Sequence, residues 1–73
     1  MASYVRFVED SIPGRKTRVF DVFSLRDVYL GTIRWHGAWR QYIFEPAAST
    51  IWSIGCLADV SAWIKALMDA RRG

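Results

Sequence analysis

Residues 31–46 read GTIRWHGAWRQYIFEP and carry the clearest structural signal in the chain. Apolar and polar residues alternate on either side of a segment that contains Gly37, a pattern typical of two β-strands joined by a turn. Pro46 lacks a backbone N–H group and marks the end of the second strand. The stretch therefore predicts a β-hairpin with strands at residues 28–35 and 39–45 and a turn at 36–38.

The register of this hairpin has two solutions, because a shift of one residue exchanges the faces of a strand. A four-residue loop pairs Trp35 with Arg40; it turns Ile33, Tyr42 and Phe44 inward and Arg34, Gln41 and Ile43 outward. A three-residue loop pairs Trp35 with Trp39 and turns outward Thr32, Arg34, Arg40 and Tyr42. The first solution is preferred, since aromatic side chains suit a core better than Gln41 does. Gly31 also indicates a bulge or a close approach by another backbone.

Two further strands are predicted before the hairpin. Residues 3–8 (SYVRFV) alternate, and residues 17–23 (TRVFDVF) are rich in β-forming types. Pro13 and Gly14 lie between them and are turn residues. Short turns join all four strands, so the sheet is expected to be an antiparallel meander.

A helix is predicted at the C-terminal end. Ser53 is a good N-cap, and residues 54–72 follow it without a helix breaker. Apolar residues recur at spacings of three and four and form one broad stripe: Cys56, Leu57, Val60, Trp63, Ile64, Leu67 and Met68. The linker before the helix includes a short edge strand at 50–52. The fold class is thus α+β, one domain at residues 1–73, with a four-stranded meander and a C-terminal amphipathic helix on one face.

Composition indicates an interaction surface. Apolar residues make up 52% of the 73 residues. A single thin core cannot bury all of them, so some apolar surface is expected to be exposed and to be covered by a second copy of the chain. A homodimer or another protein partner is therefore predicted, through the uncovered sheet face or a sheet edge. No segment has the length or apolarity of a membrane span or a signal core, which predicts a cytoplasmic protein without membrane partners.

The charge gives a second class of partner. The net charge is +3, and eight of the ten basic residues are arginine, which binds phosphate in a bidentate manner and stacks on aromatic rings. Exposed aromatics can stack bases while cations hold phosphate. The candidate surface for a protein partner or for DNA or RNA consists of Lys16, Arg18, Arg34, Trp39, Arg40 and Tyr42. The alternative interpretation is a solvated sheet face over aromatic core residues, with Arg40 on Trp35 as a structural cation–π pair.

The hairpin also carries a resemblance. Residues 30–46 match the pattern L-G-x-I-x-W-x-x-x-W-R-x-Y-x-F-x-P, and Thr50, Ile51 and Trp52 before Cys56 and Leu57 continue it. The stretch from Lys16 to Leu67 resembles short bacterial proteins of no known activity, of the kind carried on mobile elements such as integron gene cassettes. The resemblance implies a similar origin and assigns no catalytic or binding residue.

No catalytic constellation is evident in the sequence. His36 is the single histidine and falls in a turn, and Cys56 is the single cysteine and falls on the apolar stripe. A cysteine near a helix N-terminus can be reactive, but a buried structural thiol is the preferred interpretation. The acidic residues are scattered, and one cysteine with one histidine does not make a structural metal site. The sequence therefore predicts a non-enzymatic protein without cofactor or metal: a self-associating interaction module or, alternatively, a small DNA- or RNA-binding domain.

Overall fold

The computed structural model describes residues 4–72, with side chains to residue 71. Four strands precede one helix: β1 (Val5–Glu9), β2 (Phe20–Ser24), β3 (Tyr29–His36), β4 (Gln41–Pro46) and α1 (Ile54–Arg72). The strands lie in the order β1-β2-β3-β4, and all three neighbouring pairs are antiparallel. The predicted α+β meander with one C-terminal helix is confirmed. Ser3, where the prediction began the first strand, lies outside the described residues.

All four strands begin later than predicted, β2 by three residues and β4 by two. In β2 and β4 the residues before the strand bond elsewhere. The backbone N–H of Arg18 donates to the hydroxyl of Tyr42 (3.0 Å), and that of Val19 donates to Ser11 Oγ (2.9 Å). These bonds engage Arg18 and Val19 outside the β2–β3 ladder. The backbone N–H groups of Trp39 and Arg40 bond back to carbonyls in their own turn.

The hairpin has neither of the two predicted pairings. Trp35 lies opposite Tyr42 and His36 opposite Gln41, so the loop is residues 37–40. Arg40, with a φ of 55°, is the loop's left-handed residue. The preferred solution nevertheless assigned the faces correctly, because its register differs from the real one by two residues and therefore keeps the alternation. Tyr42 faces the helix and is 4% exposed, which excludes the alternative that turned it outward.

Gly31 marks the irregularity that the sequence predicted. The β2–β3 register shifts between Val22 and Phe23, so that Leu30 is an extra residue on β3. Gly31 has a φ of 152°, and a Cβ there would lie 2.7 Å from Cε1 of Phe44 and closer still to the carbonyl oxygen of Glu45. Only glycine fits this backbone conformation and this close approach.

The core lies between α1 and one face of the sheet. Its buried apolar residues come from β1 to β4 and from α1: Val5, Phe20, Val22, Leu30, Ile33, Tyr42, Val60 and Leu67. Aromatic rings extend it at both sides. Phe7 stacks on Trp63 with centroids 4.1 Å apart, and Phe44 meets Trp52 edge-on at 4.8 Å. Because α1 covers only this face, the opposite sheet face remains open.

The linker before α1 is not a strand, which corrects the prediction for residues 50–52. Its polar groups bond locally: Thr50 Oγ1 donates to the carbonyl of Ala47 (2.8 Å) and accepts from Trp52 Nε1 (2.9 Å). The predicted helix start is confirmed, since Ser53 Oγ accepts a hydrogen bond from the backbone N–H of Cys56 at 3.1 Å.

Candidate functional site

The open sheet face combines ion-paired cations with apolar side chains. By register, Val8, Phe23, Tyr29 and Ile43 share this face with Arg6 and Arg34, and Val8 and Tyr29 are 38% and 45% exposed. Arg6 forms an ion pair with Asp27 (2.5 Å) and lies over the ring of Phe23 at 5.1 Å. Arg34 forms an ion pair with Glu45, also at 2.5 Å. Both cations have carboxylate partners, so charged pairs interrupt the apolar surface expected from the composition.

The two sheet edges differ. The β4 edge is closed at Tyr42, whose backbone N–H donates to Met68 Sδ at 3.4 Å, and at Pro46, which has no N–H. On β1, Asp10 N–H bonds to the carbonyl of Val19, in phase with the β1–β2 ladder. Since bonding directions alternate along an antiparallel strand, Phe7 directs its N–H and carbonyl away from β2. The β1 edge is thus the more open one, but it is five residues long and includes charged Arg6 and Glu9, features that limit edge pairing.

Two of the predicted surface residues lie on the helix side of the sheet. Arg18 holds Glu9 with two hydrogen bonds (2.7 and 3.0 Å), and its guanidinium lies 4.9 Å over the ring of Phe20. These bonds, followed by one from Ser11, lower the pKa of Glu9 from 4.5 to about 2. Tyr42 is buried and bonded to Arg18. Arg18 therefore covers core, and the prediction that Tyr42 lies on an exposed surface is wrong.

The remaining predicted surface residues gather at the end of the sheet that carries the β3–β4 loop. Trp39 is 66% exposed, and its ring meets that of His36 edge-on at 4.6 Å. Arg40 follows Trp39 in the same loop and is exposed. Lys16 lies in the β1–β2 connection, which borders the same end, since β1 ends and β2 begins there.

The sequence interpretation missed other cations at this end. Arg15 lines a groove of about 440 Å³ together with Asp10, Ile12, Thr17, Val19, Arg34 and Trp35. Arg71, in the last turn of α1, lies 4.1 Å over the ring of Trp35 and takes the place that the sequence suggested for Arg40. We call the exposed group Arg15, Lys16, Trp39, Arg40 and Arg71 the hairpin-end surface.

The cations of the hairpin-end surface differ from most other described cations because they form no ion pair with a described carboxylate. In the part of the chain that the structure describes, carboxylates pair with Arg6, Arg18, Arg34 and Lys65. No such pair engages the four cations of the hairpin-end surface. Arg26, the other described cation without an ion pair, lies in the β2–β3 turn at the opposite end of the sheet.

The opposite end of the sheet presents apolar side chains instead. Ile51 is 93% exposed, Ile54 87% and Leu57 53%; we call these three residues the helix-start patch. Tyr4, Leu25 and Val28 are also exposed at this end, where β1 begins and β2 turns into β3. Leu57 was expected in the buried stripe, and that expectation is wrong. Ile54 is six residues before buried Val60, which at 100° per residue puts it about 120° away from the core direction.

The thiol and the imidazole lie far apart in the fold. Cys56 is half-buried in the first turn of α1 and packs against the core. His36 ends β3 at the other end of the sheet. Within residues 4–72, no three histidine, cysteine, aspartate or glutamate residues are grouped as metal ligands would be. The fold therefore brings no nucleophile–base pair together from these two residues.

Comparison with known proteins gives one informative relative. The chain is 31% identical over 70 residues to the "Uncharacterized 9.3 kDa protein" of Acholeplasma phage L2, an alignment that covers 94% of this chain and 90% of that protein. No protein-family model matches the chain, and no solved structure matches it. The relative is a short protein of a phage; the hairpin motif as a family mark and the integron association stay predictions. Among the described residues, no helix is both long and apolar enough to cross a membrane.

Proposed function

We propose that this chain, which belongs to the family of the uncharacterised 9.3 kDa protein of Acholeplasma phage L2, is a non-enzymatic protein that acts by self-association. The observation that carries the proposal is the helix-start patch. Ile51 and Ile54 hold their side chains almost fully in water although both belong to a chain whose core is small. Large apolar side chains grouped at one exposed place favour a protein partner.

The proposed dimer interface differs from the sheet face or sheet edge that the sequence suggested. The face is occupied by the ion pairs of Arg6 and Arg34, and the β4 edge is closed by Met68 and Pro46. The helix-start patch is the more exposed apolar surface, since Ile51 and Ile54 are 93% and 87% exposed whereas Val8 and Tyr29 on the sheet face are 38% and 45% exposed. In a two-fold dimer each copy contributes the same patch, so every exposed side chain is used twice.

The expected affinity follows from the size of the patch. Full burial of one Ile or Leu side chain contributes about 1.5–3 kcal/mol, so six of them contribute about 9–18 kcal/mol at most. Association itself costs about 4–15 kcal/mol. Since Leu57 is already half-buried, the lower part of the gross range applies. With a gross term of about 9–12 kcal/mol and an association cost at the low end of its range, about 4 kcal/mol, about 5–8 kcal/mol remains, which corresponds to a dissociation constant of about 1–200 μM.

Sedimentation velocity between low and high micromolar concentration tests the proposal. Wild-type protein should shift from monomer to dimer. Ile54→Gln should raise the dissociation constant at least about tenfold, which corresponds to a loss of about 1.4 kcal/mol of binding free energy. Ile12→Gln is the matched control, because Ile12 is also an exposed isoleucine but lies in the β1–β2 connection at the other end. A monomer at every concentration, or equal effects of the two substitutions, would contradict the proposal.

A further inference from the structure

The cations of the hairpin-end surface lack the carboxylates that neutralise the other described basic side chains, except Arg26. Four of the five unpaired cations among the described side chains therefore lie at one end of the sheet. Asp10 is the exposed carboxylate that borders the groove there, and it offsets one of the four positive charges. Most of the charge remains free for an anionic ligand.

An aromatic side chain stands among these cations. Trp39 is exposed at the tip of the loop, and the edge-on contact with His36 holds its ring from one side. Arg40 is adjacent in sequence and directed by a left-handed backbone. A fixed, solvent-exposed indole with neighbouring guanidinium groups matches the general arrangement in which a base stacks and the flanking phosphates bind cations.

The C-terminus of α1 lies at the hairpin end of the sheet and disfavours the binding of an anion there. Its free carbonyl groups carry a partial negative charge. Arg71 lies in the last turn and counters that charge while it covers Trp35. The cations of the two loops, Arg15, Lys16 and Arg40, are separate from the helix terminus in sequence and make up the larger part of the surface.

We propose that the hairpin-end surface binds single-stranded nucleic acid, with a base on Trp39 and phosphates on Arg15, Lys16, Arg40 and Arg71. Single-stranded nucleic acid is the expected ligand, because its bases can stack on the exposed indole of Trp39. The bases of a duplex are already stacked on each other in its interior. This activity is independent of self-association, which uses the other end of the sheet. It also differs from the sheet-face site of the sequence interpretation, since Arg34 is paired and Arg18 and Tyr42 lie on the helix side.

Fluorescence anisotropy with labelled oligo(dT) and oligo(rU), read against a duplex of equal length, tests the proposal. Four phosphate contacts predict a slope of about −2.8 for log affinity against log salt on a single strand. The affinity should then fall about 50-fold between 50 and 200 mM salt. Binding of either oligomer more tightly than the duplex supports the proposal.

Charge-matched variants separate a site from a general charge effect. Arg40→Gln should weaken binding at least about fivefold and lower the salt slope by about 0.7. Arg26→Gln removes the same charge from the opposite end and should leave affinity within about twofold. Trp39→Ser should lose about tenfold, and Trp39→Phe should restore most of it, because base stacking contributes about 1–3 kcal/mol.

Several results would overturn the assignment. These are no binding at 20 mM salt by folded protein, equal losses for Arg40→Gln and Arg26→Gln, or tighter binding of the duplex. Circular dichroism of each variant shows whether it is folded; Trp39, Arg40 and Arg26 are all exposed, so their substitution leaves the core intact. Sedimentation of Arg40→Gln and Trp39→Ser should show the wild-type monomer–dimer equilibrium, which distinguishes failure of this site from failure of self-association.

Discussion

The rings of Phe7 and Trp63 lie face to face, with centroids 4.1 Å apart and planes 9° from parallel. This contact joins the edge strand β1 to α1, and Phe20 meets the same indole edge-on at 5.4 Å. Trp63 Nε1 is buried, and no hydrogen-bond partner reaches it within residues 4–72. Trp63 therefore contributes through its ring area and not through its N–H group.

Replacement of Trp63 should separate these two effects. Trp63→Ala should lower the free energy of unfolding by about 3–5 kcal/mol, because it removes the ring that ties β1 to the helix. Trp63→Phe should lower it by much less, since it keeps an aromatic ring and removes an unpaired N–H whose burial costs about 1–3 kcal/mol. Urea denaturation measures both. Equal losses for Phe and Ala would mean that Nε1 does have a partner in solution.

Gly31→Ala should be strongly destabilising. A methyl group there collides with the ring of Phe44 and the carbonyl of Glu45, and the backbone φ of 152° disfavours a side chain. We expect a loss of at least about 2 kcal/mol. Gly37→Ala is the control, because a Cβ at Gly37 meets nothing within 4 Å and its φ is not positive. Thermal denaturation should show Gly37→Ala unchanged or slightly stabilised.

The Glu9–Arg18 pair predicts a specific acid response. The folded-state pKa of Glu9 is about 2, below its ordinary value of 4.5, because Arg18 and Ser11 hydrogen-bond the carboxylate. The stability from this lowered pKa is present in full above pH 4.5 and is lost as the pH falls from there toward 2. Glu9→Gln should flatten the fall in melting temperature within that window. High salt should weaken the wild-type effect, since both side chains are about half-exposed. An identical pH profile for the two proteins would show that the pair does not persist in solution.

Arg40 occupies a left-handed backbone position that glycine adopts at lower cost. A non-glycine residue there costs about 1–2 kcal/mol, and glycine adds about 0.5–1 kcal/mol of unfolded-state entropy. Arg40→Gly should therefore leave stability unchanged or raise it by up to about 1.5 kcal/mol. Arg40→Val should lower it, because a β-branched residue is the poorest fit to positive φ. Differential scanning calorimetry of the two variants checks this, and a destabilised glycine variant would indicate that the guanidinium itself stabilises the loop.

The helix and the order of the strands could be predicted because local signals agree. Ser53 caps the helix, Pro46 ends β4, and the alternation in residues 31–46 assigns the faces correctly. Gly31 indicated the bulge because glycine tolerates a positive φ and a close approach by another backbone, and the bulge requires both. The hairpin loop was harder, because Trp39 and Arg40 are not typical turn residues. Their aromatic and β-compatible side chains extended the predicted strand into the loop.

The candidate surfaces could be predicted only in part, because they depend on side-chain pairing across the fold. Trp39, Arg40 and Lys16 were selected from the sequence and do lie together at one end. The sequence does not reveal that Arg18 pairs with Glu9 or that Arg34 pairs with Glu45. The exposure of Ile54 could have been inferred from its helical phase relative to Val60.

The separation of the exposed apolar groups from the unpaired cations has a consequence for solution conditions. Salts that are excluded from protein surfaces, such as ammonium sulfate, strengthen apolar burial, while any added electrolyte screens exposed charges. One and the same titration should therefore tighten contacts at the Ile54 end and release a polyanion from the Arg40 end.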